Sequence, residues 1–258
     1  MGSVTRNGRH AIDLVGWRLL SAICKTIASR KVRLRVEGLE HLPETGPLMI
    51  AARHYHHVYD GCVLLATVPR PLQVLVGLDW VQDRRARRLV ESLCNIGRWP
   101  AVLRRDRRNR LEQPRRRNGA PSAEEGGRYL RQAMRMTSDL MAEGRALLVF
   151  PEGYPNIDLF YTPKSGDQDF LPFRHGFAKL VRMAQRSSHA RIAVVPAGLE
   201  YRRDGRYDIT LRFGMAEFLE RGADVSAFAA TIERQVRMLS GLAVVDPEVA
   251  ALAVAIGT

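Results

Sequence analysis

Residues 49–61, MIAARHYHHVYDG, place His54, His56, His57 and Asp60 within seven positions, directly after a short apolar run. Imidazole is the side chain whose ordinary titration falls near neutral pH, and it is also a common metal ligand. A block of this kind therefore supports either a metal centre or an acid–base pair. The acid–base reading needs one ring within hydrogen-bonding reach of a carboxylate that fixes its tautomer and stabilises the imidazolium. Asp60 is the only nearby carboxylate.

The metal reading has one argument in its favour: in an extended segment His54 and His56 point the same way, as two ligands must. The run partly resembles the H-x-H-x-D-H motif of metallo-β-lactamase-like hydrolases, but Val58 stands at the fifth position and Gly61 follows the aspartate. His10, His41, His175 and His189 form no second cluster. No metal is expected. For the base, His54 lies at the end of the apolar run, with five residues between it and Asp60. His56 and Asp60 are spaced i, i+4 and share a face if a helix begins early. His54, His56 and His57 all stand as candidates.

Further blocks carry polar groups of the same kind. LVFPEGYPN sets Glu152 and Gly153 in a Pro–Glu–Gly turn after an apolar run, which would expose the carboxylate at a sheet edge. VVPAGLEY repeats the strand-then-turn arrangement. FRHGFAKL opens a helix with Arg174 near its amino end, where backbone N–H groups favour an anion.

Strands must hold these turns. VRLRVEG alternates apolar and polar residues as a half-buried strand does, and LMIAA, ALLVF and IAVVPAGLE are apolar runs suited to burial on both faces. CVLLATV, GFAKLVRMAQRS and RYLRQAMRMTSDLMAEG read as helices, the last through Leu130, Met134, Thr137 and Met141 with Gly144 as its C-cap. PLQVLVGLDW reads as strand and turn before a helix reaching about Cys94, and YDITLRFG as a late strand. Strands alternating with helices predict an α/β fold: a single domain with a central, mainly parallel mixed sheet flanked by helices. The expected organisation is an N-terminal amphipathic helix over residues 1–30, a main domain over 31–240 and a C-terminal tail over 241–258. In the first helix, Ile12, Val15, Leu19, Ile23 and Ile27 form a stripe that suits either the protein's own core or a membrane surface.

The 258 residues carry 40 Lys+Arg against 27 Asp+Glu, a net charge of +13, so an anionic partner is expected. The positive charge is concentrated in RRDRRNRLEQPRRRN, residues 104–118, inside a loop insertion expected over 104–127. That run contains no aromatic residue on which bases could stack, which argues for an anionic membrane surface over nucleic acid. Cys24, Cys62 and Cys94 lie far apart in sequence with no C-x-x-C pair, which suits reduced thiols in a cytosolic compartment. No apolar run reaches the ~18–20 residues that cross a bilayer, and the start lacks a signal-peptide pattern.

From about Val32 to Phe213 the chain resembles the PlsC-like glycerolipid acyltransferase family, which includes the 1-acylglycerol-3-phosphate acyltransferases. The resemblance rests on the histidine–aspartate block, IGRWPAVLRR, LLVFPEG, PFRHGFAKLV, VVPAGLEY and ITLRFG, in the family's order. It implies acyl transfer from an acyl thioester, on CoA or acyl carrier protein, to a hydroxyl of a lysophospholipid or related acceptor. A histidine acts as general base and an aspartate orients it, with no acyl-enzyme and no cofactor. Carried over by motif, His54 and Asp60 are catalytic, while Arg104, Glu152, Gly153 and Arg174 bind substrate. Two departures stand out. The family's N-H-x-x-x-x-D has four residues between the pair, so this chain needs a one-residue bulge. The family's Thr-Arg-Ser after FPEG is here Tyr154, Pro155 and Asn156, which removes an arginine that helps hold the acceptor's phosphate. The resemblance implies a cytoplasmic protein, peripheral on the inner face of the membrane. A catalytically inactive lipid-binding relative is the alternative reading, and a basic nucleic-acid-binding protein a more remote one.

Overall fold

The computed structural model describes residues 3–81, 83–103, 123–159 and 161–243. In chain order these form α1 (Ser3–Lys31), β1 (Val32–Glu37), β2 (Leu48–Ala52), α2 (Tyr59–Thr67), β3 (Leu72–Val74), β4 (Val76–Gly77), α3 (Arg84–Ile96) and β5 (Ala101–Val102). There follow α4 (Ala123–Ala142), β6 (Ala146–Val149), α5 (Gly176–Ser188), β7 (Ala193–Asp204), β8 (Arg206–Phe213), β9 (Glu217–Phe218) and α6 (Val225–Leu239). A single α/β domain results, with a curled, mostly parallel mixed sheet between helices.

β2 is the strand on which the fold is centred. All five of its residues are fully buried, as expected of a continuous apolar strand covered on both faces. Successive side chains point to opposite faces. Leu48, Ile50 and Ala52 enter a core closed by α1 and α2, while Met49 and Ala51 enter a second core closed by α4, α5 and α6. β6 and β7 pair with β2 in parallel, one on each side, and β3 pairs with β6 in parallel beyond that. The carboxyl ends of β2, β6 and β3 therefore share one edge, where the loops after Ala52 and Val149 emerge.

β8 turns back antiparallel to β7, and β1 runs parallel to β8. β1 thus runs opposite to β2, and its start, with the end of α1, lies at that same edge. At Gly198 the middle of β7 passes so close to α6 that an added Cβ would stand 2.3 Å from the Leu239 carbonyl carbon. Only a residue without a side chain fits there.

Several sequence expectations need correction. The stripe of α1, for which the core and a membrane surface both stood open, does not face the core: Val15, Leu19, Ile23 and Ile27 are all exposed, the first two by 66% and 64%. The docked face is a second line, Leu20, Cys24 and Ala28, whose small residues let α1 lie close against α2. Ile12 falls outside the described side chains. Cys24 and Cys62, far apart in sequence, are both buried in the core at that contact. The insertion expected over 104–127 ends earlier, because Ala123 already opens α4. Glu124 and Glu125 in the first turn favour the helix amino end, and Gly126 is buried, so packing outweighs its poor helix propensity. The rest of the insertion, and most of the expected C-terminal tail, lie outside the described residues. Among the described residues no helix is long and apolar enough to cross a membrane.

Candidate active site

The chain leaves β2 at Ala52, and Arg53 prolongs the pairing by donating its N–H to the Ala197 carbonyl at 3.1 Å. His54 comes next. Its ring stacks on Phe150 with centroids 4.3 Å apart, and its Nδ1 lies 2.9 Å from Asp60 Oδ2. Asp60 sits in the first turn of α2 and is fully buried. The same Oδ2 accepts the backbone N–H of Tyr55 at 2.6 Å and of His56 at 2.9 Å, and Oδ1 accepts the Tyr201 hydroxyl at 2.5 Å. An oxygen that already accepts from two N–H groups acts as acceptor toward the ring too. Nδ1 therefore carries the proton and Nε2 keeps a free lone pair.

The longer spacing between His54 and Asp60 is taken up in a turn at His57–Val58, not in a bulge of β2. His56 lies before α2, which starts at Tyr59, so the i, i+4 arrangement on one helix does not arise. Its Nδ1 accepts the N–H groups of Val58 and Tyr59 at 3.2 and 3.4 Å. Burial, with neighbouring His57 as the second cause, pushes the His56 imidazole down to about 4. The His57 ring donates from Nδ1 to the Ile157 carbonyl at 3.0 Å. Among the described residues no group of three or more His, Cys, Asp or Glu is arranged to hold a metal ion.

β6 delivers the second half of the site. Gly153 closes the turn after Pro151 at φ 81°, a conformation that favours glycine, and donates its N–H to the Phe150 carbonyl at 3.0 Å. The turn does not expose Glu152. That carboxylate is 1% exposed, and both oxygens are occupied. Oε1 accepts the His54 N–H at 2.8 Å, while Oε2 accepts the Leu171 N–H at 2.9 Å and the Lys164 ammonium at 2.6 Å. Lys164 donates in addition to the His54 carbonyl at 2.8 Å and Asn156 Oδ1 at 3.0 Å, which uses all three of its protons. Burial holds its ammonium below the usual lysine range, opposed by the Glu152 charge. Glu152 and Lys164 thus clamp the His54 backbone together, the carboxylate at its N–H and the ammonium at its carbonyl, and Glu152 does not face solvent.

Arg53 is a second buried cation at the site, 2% exposed, with its guanidinium donating to the carbonyls of Leu199 at 3.0 Å and Asp167 at 2.7 Å. It lies over the Tyr55 ring, which in turn stacks on Tyr201 at 4.0 Å. Arg53 and Lys164 balance the buried charges of Asp60 and Glu152, the condition under which such ions are tolerated out of water. Burial, then the Asp60 charge, drives the Tyr201 phenol well above its ordinary range, so it remains a donor.

Sequence reasoning did not single out Arg53, Tyr55, Lys164 or Tyr201. Three had a signal: Arg53 and Tyr55 flank His54, and Tyr201 ends the VVPAGLEY block. Lys164 had none. Arg174 is exposed beside the turn, its backbone N–H donating to the Pro151 carbonyl and its guanidinium 5.8 Å from the Tyr154 ring centroid. Arg104 lies outside the described residues. Beside the site, α1 and α2 enclose an open groove of about 450 Å³ lined by Ile23, Thr26, Ile27, Arg30, Lys31 and Tyr59 among others.

A family model described as "Acyltransferase" matches residues 33–200. Among solved structures, the fold is similar to the crystal structure of the 1-acyl-sn-glycerophosphate (LPA) acyltransferase PlsC from Thermotoga maritima. The TM-score is 0.56 at 13% sequence identity, with 93% of this chain and 83% of that chain covered. Comparison with curated proteins gives no significant match.

Proposed function

The chain belongs to the acyltransferase family, and from that premise we propose that it transfers a fatty acyl group from an acyl thioester to a hydroxyl of a lysophospholipid or related glycerolipid. The observation that carries this reading is the 2.9 Å contact between His54 Nδ1 and Asp60 Oδ2. With Nδ1–H held by the carboxylate, Nε2 takes the proton of the acceptor hydroxyl as the oxygen attacks the thioester carbonyl. The C–O bond forms, the C–S bond breaks, and the imidazolium returns its proton to the departing thiolate. No acyl-enzyme and no cofactor take part. Asp60 stabilises the imidazolium, and Glu152 positions His54 through its backbone N–H.

The donor is a thioester of CoA or acyl carrier protein. Gly153, Arg174 and Arg104 serve the substrates' polar groups. The acceptor's head group differs from a simple glycerol phosphate. Tyr154 and Pro155 are buried where the family's motif has Thr-Arg, and Asn156 ties the following loop by donating to the Gly166 and Asp169 carbonyls at 2.7 and 2.9 Å. The exposed aliphatic line of α1, with Arg30 and Lys31 at its end, supports a peripheral position on an anionic membrane, which this reading puts on the inner, cytoplasmic face.

Purified protein incubated with labelled acyl-CoA and a panel of lysolipids, followed by product identification, tests the proposal. Acylated product that disappears in His54→Ala is the expected result. Absence of turnover with every acceptor and with both donor types would favour the inactive lipid-binding alternative, and a clear preference for lysophosphatidate would overturn the head-group reading.

A further inference from the structure

Helix α3 is amphipathic on both sides, and only one side is used. Its inner side packs Val90 against Leu78, Leu103 and Tyr129. Arg87, also on that side, donates from Nε and Nη2 to the Val81 carbonyl at 3.1 and 2.9 Å. Glu91 accepts the Tyr129 hydroxyl at 2.6 Å. The outer side carries Leu89, Leu93 and Ile96, which are 62%, 58% and 78% exposed. Their i, i+4, i+7 spacing makes one continuous stripe. Arg85, one turn earlier on the same side, and Arg88, on the flank of the stripe, are exposed and have no ion-pair partner among the described residues.

Single surface aliphatics need no explanation, but three in line beside two unpaired arginines do. The combination fits a lipid surface, where arginines meet phosphates and the aliphatic side chains enter the boundary between headgroups and acyl chains. A second copy of the chain fits poorly. It would bring four arginines together between molecules that each carry a charge of +13. Nucleic acid would leave the aliphatic stripe without a role.

The position of α3 agrees with this partner. The chain leaves the carboxyl end of β3 at the sheet edge that carries His54 and Glu152, and reaches α3 through β4. The end of α1, with Ile23, Ile27, Arg30 and Lys31, lies at the same edge, on the side of β1. We propose that α3 is a second membrane contact: Arg85 and Arg88 bind the phosphates of anionic phospholipids while Leu89, Leu93 and Ile96 insert. Together with α1 it turns the His54–Asp60 edge toward the bilayer. This extends the membrane association proposed above and rests on it.

The test is co-sedimentation of the full chain with phosphatidylcholine vesicles, with and without phosphatidylglycerol. Leu93→Asn, Ile96→Asn and Arg85→Gln/Arg88→Gln are compared with Leu19→Asn on α1. All these positions are exposed, and thermal melting monitors the fold. Each α3 change should weaken partitioning to the anionic vesicles, the arginine pair by about tenfold or more, while turnover of a dissolved short-chain acceptor stays at the wild-type level. Wild-type protein that fails to bind either vesicle would end the membrane reading as a whole. Binding that Leu19→Asn weakens and every α3 variant leaves intact would overturn the role of α3 alone. So would sedimentation equilibrium showing a dimer that Leu93→Asn dissolves.

Discussion

The Lys164 ammonium lies 2.6 Å from Glu152 Oε2 with neither side chain exposed, and it reaches the His54 carbonyl as well. One buried ion pair therefore holds both the N–H and the C=O of the proposed base. Lys164→Met should strand an unpaired carboxylate, at a cost of about 3–5 kcal/mol in urea unfolding. Lys164→Met/Glu152→Gln should recover part of that loss. A double variant no more stable than the single one would mean that the pair's charge balance is not what the fold requires.

His54→Ala and Asp60→Asn should each lower kcat by about 10²–10⁴-fold. The asparagine case is the more diagnostic. Its amide can turn an N–H toward Nδ1, which favours the tautomer with the proton on Nε2, unable to accept from the acceptor hydroxyl. Full turnover in His54→Ala would transfer the role to another histidine of the block.

Tyr201→Phe removes the 2.5 Å hydrogen bond to Asp60 Oδ1 but keeps the ring stacked on Tyr55. A bond to a charged group contributes about 1.5–3 kcal/mol. Unfolding free energy should fall by about that amount, with kcat reduced far less than in Asp60→Asn, because the His54 contact uses the other oxygen. Equal losses in the two variants would contradict this separation.

His56 should make the fold acid-sensitive. Its imidazole is pushed down to about 4 by burial, against about 6.5 for an unfolded chain. Between those values the unfolded state binds the extra proton, so stability is intact at neutral pH and is lost as pH falls from about 6.5 toward 4. The protein should be about 2 kcal/mol less stable at pH 5 than at pH 7 from this group alone. His56→Asn keeps an acceptor for the Val58 N–H without a titrating ring, and its pH 5 deficit should be smaller by that amount. An unchanged deficit in urea melts would assign the effect elsewhere.

Gly198→Ala forces a methyl group into the backbone of α6 at Leu239 and should destabilise the fold by at least about 1–3 kcal/mol. The melting temperature checks it, and no shift would mean that β7 and α6 can part freely.

Much of the sheet was legible because its strands are short, apolar and bounded by turns. LMIAA, ALLVF and IAVVPAGLE all became buried strands. α6 was not singled out, although the residues it buries, Ala229, Ile232 and Val236, recur at helical spacing. In α1 periodicity found a stripe but could not tell a core-facing line from an exposed one, because Cys24 and Ala28 give a weak apolar signal next to isoleucine. At the site, the residues that follow strand ends were recognisable by motif, whereas Lys164 enters through a loop whose path only the fold determines. The buried state of Glu152 follows from that loop. Without Lys164 and the Leu171 N–H, a Pro–Glu–Gly turn would indeed present its carboxylate to water.

The partners of the histidine block are supplied late in the chain: Glu152 lies 98 residues beyond His54, Lys164 110 residues beyond it, and Tyr201 141 residues beyond Asp60. During synthesis the block must wait, with its aspartate unsupported, until most of the polypeptide has left the ribosome. β2 waits too, since both its neighbours come afterwards. Closing contacts of such long range is slow, so the nascent amino-terminal half spends that interval with its most apolar strand unpaired, and aggregation competes with folding for as long as it lasts.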